Sequence, residues 1–145
     1  MRAHRLTAFA FIILACLFAP AFADGNFIKI GDIKGAATDV NHRGWIEIGN
    51  WETVIDRGFH ILGSTKSQFR FETADLSAAA ALRKAAQSKT FYDTILFDVA
   101  IKGIVLRTTL YAVRVTAVDS AGRIQKVTLQ FKKQTDRNVT FAPPH

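Results

Sequence analysis

The chain has 145 residues, of which 49% are hydrophobic and 11% are aromatic. This composition excludes an intrinsically disordered protein, because such chains are poor in apolar and aromatic residues. The length suits one domain, the single Cys excludes an intrachain disulfide, and the formal net charge of +7 is a moderate basic excess.

The first 23 residues are typical of a secretory signal peptide. Arg2 and Arg5 supply a basic start, an apolar run covers 6–18, and the small residues at 21 and 23 fit a cleavage site. The apolar run is shorter than the roughly 20 residues that a membrane span needs, so cleavage is favoured over an uncleaved anchor. Lipidation at Cys16 is a further alternative, since the residues before it faintly resemble a bacterial lipobox.

Cleavage after Ala23 would leave 122 of the 145 residues as the mature chain. It would remove two of the 19 Lys and Arg and none of the 12 Asp and Glu, so the net charge falls from +7 to +5. The mature chain, 24–145, is expected to be a single exported domain that is periplasmic or secreted and is not stably inserted in a membrane. Without cysteine it lacks thiol catalysis and thiolate metal ligands.

Alternating apolar residues predict a mainly β domain. The segments that alternate are 27–30, 45–51, 58–62, 67–73, 95–102, 111–117 and 126–131. In the second segment, Ile46 and Ile48 are predicted to share one face. The opposite face is predicted to carry Trp45, Glu47 and Trp51.

One amphipathic helix is predicted over 77–88, where alanine and other strong helix formers are concentrated. Its apolar stripe consists of Ala78, Leu82, Ala85 and Ala86. Its polar face carries Arg83, Lys84 and Gln87. Asp75 or Ser77 is expected to cap the amino terminus. Because the stripe is mostly alanine, the helix can lie close against a sheet.

Several antiparallel strands with short turns predict a closed or nearly closed antiparallel β-barrel made of two packed sheets. The flanking helix is expected to cover one opening. A hairpin turn is predicted at 119–122, where Gly122 suits a left-handed backbone position. The tail 141–145 is expected to be a loose end.

A search for catalytic motifs finds no nucleophile elbow, no Walker loop and no zinc-protease signature, so we predict no enzyme activity, no catalytic residue and no cofactor. The histidines of the mature chain, all expected to be solvated rather than metal-bound, are His42, His60 and His145. A carboxylate pair for hydrolysis is a third-ranked alternative. Its candidates are Glu47, Glu52, Asp56 and Glu72.

Basic residues are spread along the chain rather than clustered. Proteins that bind nucleic acid usually combine a basic patch with exposed aromatic residues, so this partner class is not predicted. Affinity for an anionic surface stays open. Trp45 and Trp51 have two open interpretations, since they either close a second core layer or mark a protein contact.

The opening of the mature chain resembles that of the haemolysin-coregulated protein (Hcp) family, the tube proteins of bacterial type VI secretion. The resemblance rests on 26–35 (NFIKIGDIKG), 38–39 (TD) and 42–48 (HRGWIEI). The step from 68–71 (QFRF) into the helix and the hairpin within 111–131 are similar at the level of pattern. Together these stretches extend over most of 26–131.

The resemblance implies a β-barrel with a flanking helix that forms hexameric rings. Such rings stack into a tube, can carry effectors or contact other secretion components, and have no catalytic residues. A ring of this kind needs a head-to-tail interface that closes after six subunits. We expect the interface to include Trp45, Trp51, Arg83 and Lys84.

Two features differ from the family pattern. Family members usually lack a cleavable signal, because the tube assembles in the cytoplasm, and they often carry a long projecting loop where this chain has only 52–67. The runner-up hypothesis is therefore a monomeric exported β-barrel that binds a small ligand or an anionic surface.

Overall fold

The computed structural model describes residues 24–55 and 67–141. This part of the chain is mainly antiparallel β-structure with one helix. The strands are β1 Gly25–Lys29, β2 Ile46–Ile48, β3 Trp51–Val54, β4 Ser67–Thr73, β5 Phe91–Ile101, β6 Ile104–Ala121, β7 Ile124–Phe131 and β8 Lys133–Val139, and the helix α1 is Ala79–Ser88. The predicted strand at 58–62 and the predicted signal peptide lie outside the described residues.

The long strand β6 organises the sheet. Strand β5 pairs along one of its edges, while β8 and β7 lie one after the other along the opposite edge. The full order is β2-β1-β5-β6-β7-β4-β3, with β8 beside β6. The register on β6 shifts between Val115 and Ala117, and Ala112 has a left-handed φ of 57°. Both irregularities lie where β6 exchanges one partner for the other.

The barrel closes between β2, β3 and β4. The two ends of the strand order, β2 and β3, are joined through Gly49 and Asn50. The Gly49 N–H donates to the Glu72 carbonyl (2.8 Å), and the Glu72 N–H donates to the Asn50 carbonyl (2.9 Å). The Thr73 hydroxyl also donates to the Glu47 carbonyl (2.7 Å). These bonds close the sheet and confirm the predicted antiparallel β-barrel, whose described strands form one eight-stranded sheet rather than two packed sheets.

The helix is confirmed, with its apolar side against β6 and the barrel core. Ala78 at its start is buried, as are Leu82 and Ala85, while Ala86 is half-buried. The polar residues predicted to face solvent, Arg83, Lys84 and Gln87, are exposed.

The predicted side-chain cap of this helix is wrong. The N-cap position is Ala78, which makes no side-chain capping bond. The Asp75 carboxylate instead accepts the N–H of Ala36 (2.6 Å) and the N–H of Ser77 (3.0 Å). Asp75 therefore ties the segment before α1 to a distant loop rather than to the helix itself.

Two other predictions need correction. The segment 45–51 is not one strand, because β2 ends at Ile48 and β3 begins at Trp51. The alternation restarts across this break, so Trp51 lies on the core side, where its ring packs on Phe97 and Phe69. The polar strand β8 was absent from the prediction.

Both faces of the β1–β5–β6 region are covered. The inner face belongs to the main core, which includes Phe69, Phe71, Phe97, Leu110 and Leu129. The opposite face carries a second core layer, which includes Phe27, Ala37, Trp45, Ala100 and Val105. Loop 34–45 supplies Ala37 and Trp45, and it therefore lies over the outside of the sheet.

Candidate functional site

One row of residues crosses five strands beneath loop 34–45. Phe27 of β1 lies opposite Glu47 of β2 on one side and Asp98 of β5 on the other. Asp98 in turn lies opposite Arg107 of β6, which lies opposite Arg137 of β8. The register therefore places a carboxylate and a guanidinium in the middle of a sheet face that the loop covers.

The loop is held in shape by its own backbone bonds. The Gly35 N–H donates to the Gly44 carbonyl (2.8 Å), and the Gly44 N–H donates to the Ala37 carbonyl (3.1 Å). The chain passes so closely at Gly35 that a Cβ there would lie 2.2 Å from the Trp45 carbonyl oxygen. Only glycine fits at position 35, which explains why the turn after β1 has Gly35 there.

His42 joins the loop to the sheet through two carboxylates. Its Nδ1 lies 2.5 Å from Asp39 Oδ2 in the same loop, and its Nε2 lies 2.8 Å from Asp98 Oδ2 on β5. An ionised carboxylate can only accept a hydrogen bond, so both ring nitrogens must donate to satisfy both partners. This geometry fits the imidazolium form of His42.

Arg107 completes the cluster from β6. Its Nε and Nη2 donate to the two oxygens of Asp98 at 2.7 and 2.8 Å, which is a bidentate pair. The side chains of His42 and Asp98 are 1% and 0% exposed, and that of Asp39 is 10% exposed. Two cations and two anions therefore balance their charges away from water. We call Asp39, His42, Asp98 and Arg107 the charge cluster.

Aromatic rings surround the charge cluster. Phe27 stacks on the His42 ring, with centroids 4.3 Å apart and an angle of 8° between the planes. Trp45 and Phe141 meet the same ring edge-on, and the Arg107 guanidinium lies over both of them at 5.4 and 5.9 Å. These rings exclude water and give both cations favourable contacts with aromatic faces.

The pKa values of the cluster follow from burial and pairing. Burial by itself would lower the pKa of His42, but its hydrogen bonds to Asp98 and Asp39 and their charges raise that pKa above 6.5. Burial would raise the pKa of Asp98, but Arg107 and His42 together lower it below 3.8. The bond to Asp98 raises the pKa of Arg107. His42, Asp98 and Arg107 are thus each held in the charged form.

His42 was predicted to be a solvated loop residue, and this prediction is wrong. The sequence did contain one signal, since Asp39 precedes His42 by three residues within a turn. The second partner, Asp98, is 56 residues away, so no local pattern could reveal it. Because both ring nitrogens face carboxylate oxygens, neither is free to bind a metal. The other two histidines of the predicted mature chain, His60 and His145, lie outside the described residues.

The residues expected at a subunit interface lie in three different places. Trp45 is buried in the second core layer, where it contacts His42 and Arg107. Trp51 is 43% exposed and packs on Phe97. Arg83 donates to Ser120 and Gln125 near the β6–β7 turn, and Lys84 is exposed on the helix.

The candidate carboxylates are partly brought together. Glu47 and Glu72 line one open groove of about 490 Å³. Glu52 and Glu72 line a second groove of about 370 Å³, where Glu52 accepts a hydrogen bond from Arg70 at 3.2 Å, and Asp56 lies outside the described residues. Among residues 24–55 and 67–141, no group of three His, Cys, Asp or Glu side chains is arranged to hold a metal ion.

An apolar strip projects past the main core at the β5–β6 turn. Ile101, Ile104 and Leu106 are 56%, 68% and 44% exposed. By strand alternation they lie on the same sheet face as the buried Phe97 and Leu110. The inner apolar face of the sheet therefore continues beyond the barrel, and we call these three residues the apolar hairpin. Exposed apolar surface of this kind commonly marks a contact with another protein.

Neither protein-family models nor curated protein sequences match the chain. Solved structures do match. Hcp1 from Salmonella typhimurium is 20% identical with a TM-score of 0.63, over 82% of this chain and 95% of that one. A variant of Hcp1 from E. coli is 19% identical with a TM-score of 0.64, over 83% of this chain and 100% of that one.

A type VI secretion system effector from Yersinia pestis matches similarly, at 19% identity and a TM-score of 0.60, over 80% of this chain and 99% of that one. In the part of the chain that the structure describes, no helix is long and apolar enough to cross a membrane. Identities this low establish the fold alone, and the chain has the β-barrel fold of the Hcp proteins that its opening residues resemble.

Proposed function

We propose that this chain is a non-enzymatic structural subunit of the Hcp type that assembles into a hexameric ring. The observation that carries the proposal is the fold match, which extends over about four-fifths of this chain and nearly the whole length of the Hcp structures. Ring stacking into a tube and the transport of effectors belong to the same proposal, as does action in the periplasm or outside the cell.

The surface offers what a ring interface needs. A closed ring is built from two different patches on each subunit. The apolar hairpin supplies one patch, and the part-exposed Trp51 adds an apolar side chain from the core side of β3. The exposed Arg83 and Lys84 on α1 supply a second, charged patch. Trp45 supports the subunit from inside.

The architecture favours assembly over the alternative of a monomeric ligand-binding barrel. Such a barrel needs a cavity for its ligand. Here the Phe69 ring packs on the rings of Phe97 and Phe71 inside the described part of the barrel, with centroids 4.9 and 6.0 Å away. The groove beside Glu47 and Glu72 is open to solvent, and it offers a general acid no enclosed environment of the kind that carboxylate catalysis uses.

The decisive measurement is native mass spectrometry of the protein recovered from cells, combined with sequencing of its amino terminus. We expect a particle of six times the mature mass and a first residue of Asp24. Ile104→Glu places a charge in the apolar hairpin and should convert the ring to monomers. Ala121→Glu places the same side chain at the other exposed end of β6 and should leave the ring intact.

A protein that stays monomeric at high concentration would overturn the proposed assembly. Rings that survive Ile104→Glu would leave assembly standing but exclude the apolar hairpin as an interface. Salt-dependent binding of the monomer to anionic vesicles would instead favour the alternative function.

A further inference from the structure

We propose that the charge cluster is a proton-dependent latch for loop 34–45, closed while His42 carries two protons on its ring and loosened when one is lost. This inference concerns the subunit itself and does not depend on ring assembly. It rests on the placement of one buried imidazole between two carboxylates that belong to different parts of the fold.

The first step of the argument is a count of donors. A neutral imidazole has one N–H, whereas Asp39 and Asp98 each present an acceptor to His42. Loss of the proton therefore leaves one carboxylate facing a nitrogen lone pair. Such a contact is repulsive, and a buried charge without a partner is costly.

The second step identifies which carboxylate gives way. Asp98 is fully buried and keeps two hydrogen bonds from Arg107. Asp39 is 10% exposed and lies in the loop, and within residues 24–55 and 67–141 its carboxylate has only a long bond from the Asn41 N–H (3.3 Å) besides His42. Asp39 can turn toward water and Asp98 cannot, so the turn at 39–42 opens while the strands stay paired.

The remaining charges around His42 are further out. Apart from Asp39, Asp98 and Arg107, the charged residues of the loop are Lys34 and Arg43, and those on the same sheet face of β1, β2 and β8 are Lys29, Glu47, Lys133 and Arg137. All six are exposed, so solvent and salt screen them. Phe141, the contact from the C-terminal side, carries no charge. The two hydrogen-bonded carboxylates therefore dominate.

The third step is the effect on the surface. The loop backbone is bonded to the segment before α1, because the Ala36 N–H donates to Asp75 at 2.6 Å. Ala36 and Ala37 also line the groove that Glu47 and Glu72 share. Opening the loop would therefore change the shape of this groove, and pH would control a surface that the folded barrel otherwise keeps fixed.

The test is an NMR titration of the His42 ring from pH 5 to pH 9, with amide hydrogen exchange measured at each pH and corrected for intrinsic rates. We expect His42 to titrate with a midpoint above 6.5. The His42 and Gly44 amides, which donate within the loop, should lose protection through the same midpoint. Because a single proton is lost, the protection of these amides should fall by up to about tenfold per pH unit. Amides of β4 and β7 should stay protected.

Asp39→Asn is the informative variant, because it keeps the imidazole but removes one carboxylate, and it should lower the His42 midpoint. Asp136→Asn is the matched control, since Asp136 is an exposed carboxylate on β8 that accepts from Thr108, and it should leave the midpoint unchanged. A wild-type midpoint at or below 6.5, an unshifted midpoint in Asp39→Asn, or loop protection that does not vary with pH would each overturn the latch.

Discussion

Asp98 and Arg107 face each other across β5 and β6 and share two hydrogen bonds of 2.7 and 2.8 Å in the middle of a covered sheet face. The pair lies under Trp45 and Phe141, and Asp98 also accepts a hydrogen bond from His42. The pair therefore connects two strands, a loop and the C-terminal segment. An ion pair in this position holds these segments together, whereas a pair at the surface does not.

Arg107→Ala should destabilise the protein by about 3–5 kcal/mol, because among the described residues it leaves the buried Asp98 charge with His42 as its only charged partner. Arg70→Ala is the matched control, since Arg70 and Glu52 form a pair whose side chains are 51% and 61% exposed. Exposed pairs contribute about 0–1 kcal/mol. Urea unfolding of both variants measures the difference. Equal losses of unfolding free energy would show that the buried pair contributes no more to stability than the exposed one.

Leu82→Ala should cost about 2–5 kcal/mol, the range for truncating a large buried side chain. Leu82 is fully buried and is the one large residue of the α1 stripe. Lys84→Ala, on the exposed side of the same helix, should stay within about 0.5 kcal/mol of the wild type. Similar midpoints in urea for the two variants would mean that the helix is not docked on the barrel.

Gly35→Ala should destabilise by about 1–3 kcal/mol or more, the cost of forcing extra volume into a packed region. The added Cβ would meet backbone, the Trp45 carbonyl oxygen, and backbone cannot turn aside as a side chain can. Gly49→Ala is the control, because its nearest new contact is 3.8 Å away. Thermal unfolding distinguishes them, and a neutral Gly35→Ala would contradict the loop geometry.

The free energy of unfolding should be highest between about pH 3.8 and pH 6.5. The raised pKa of His42 gives stability that is complete below 6.5 and is lost as pH rises through the folded value. The lowered pKa of Asp98 gives stability that is complete above 3.8 and is lost as pH falls through its folded value. Urea unfolding at pH 3, 5 and 9 measures both the loss of stability at acidic pH (the acidic limb) and the loss at alkaline pH (the alkaline limb).

His42→Gln should remove the alkaline limb, because glutamine does not titrate, while the acidic limb from Asp98 persists. The same alkaline loss in this variant as in the wild type would assign the limb to another group. Asp136→Asn again serves as the control and should reproduce the wild-type profile.

Much of the fold could be predicted because local pattern and tertiary environment agree. Strand β4 was predicted with its observed bounds, since Phe69 and Phe71 alternate with polar residues on a half-buried sheet. The helix was predicted from its alanine-rich run. In both segments, one face is apolar and the other is polar, which is the pattern that sequence periodicity detects.

The failures have physical causes. Strand β8 (KQTDRNV) has almost no apolar residues, because most of its side chains stay exposed beside β6. Trp51 was placed on the wrong face, because a two-residue break restarts the alternation after Ile48. The charge cluster depends on partners brought together by sheet register, and only the Asp39–His42 step is local.

Strand β7 ends at Phe131 and β8 begins at Lys133, so a single residue separates two strands that share one edge of β6. The Lys132 N–H donates to the Tyr111 carbonyl at 3.0 Å and continues the ladder across the gap. Since side chains alternate with a period of two, deleting Lys132 would turn every side chain of β8 to the opposite face of the sheet. The length of the chain is therefore constrained at this point, whereas the register does not depend on the exposed side chain of Lys132.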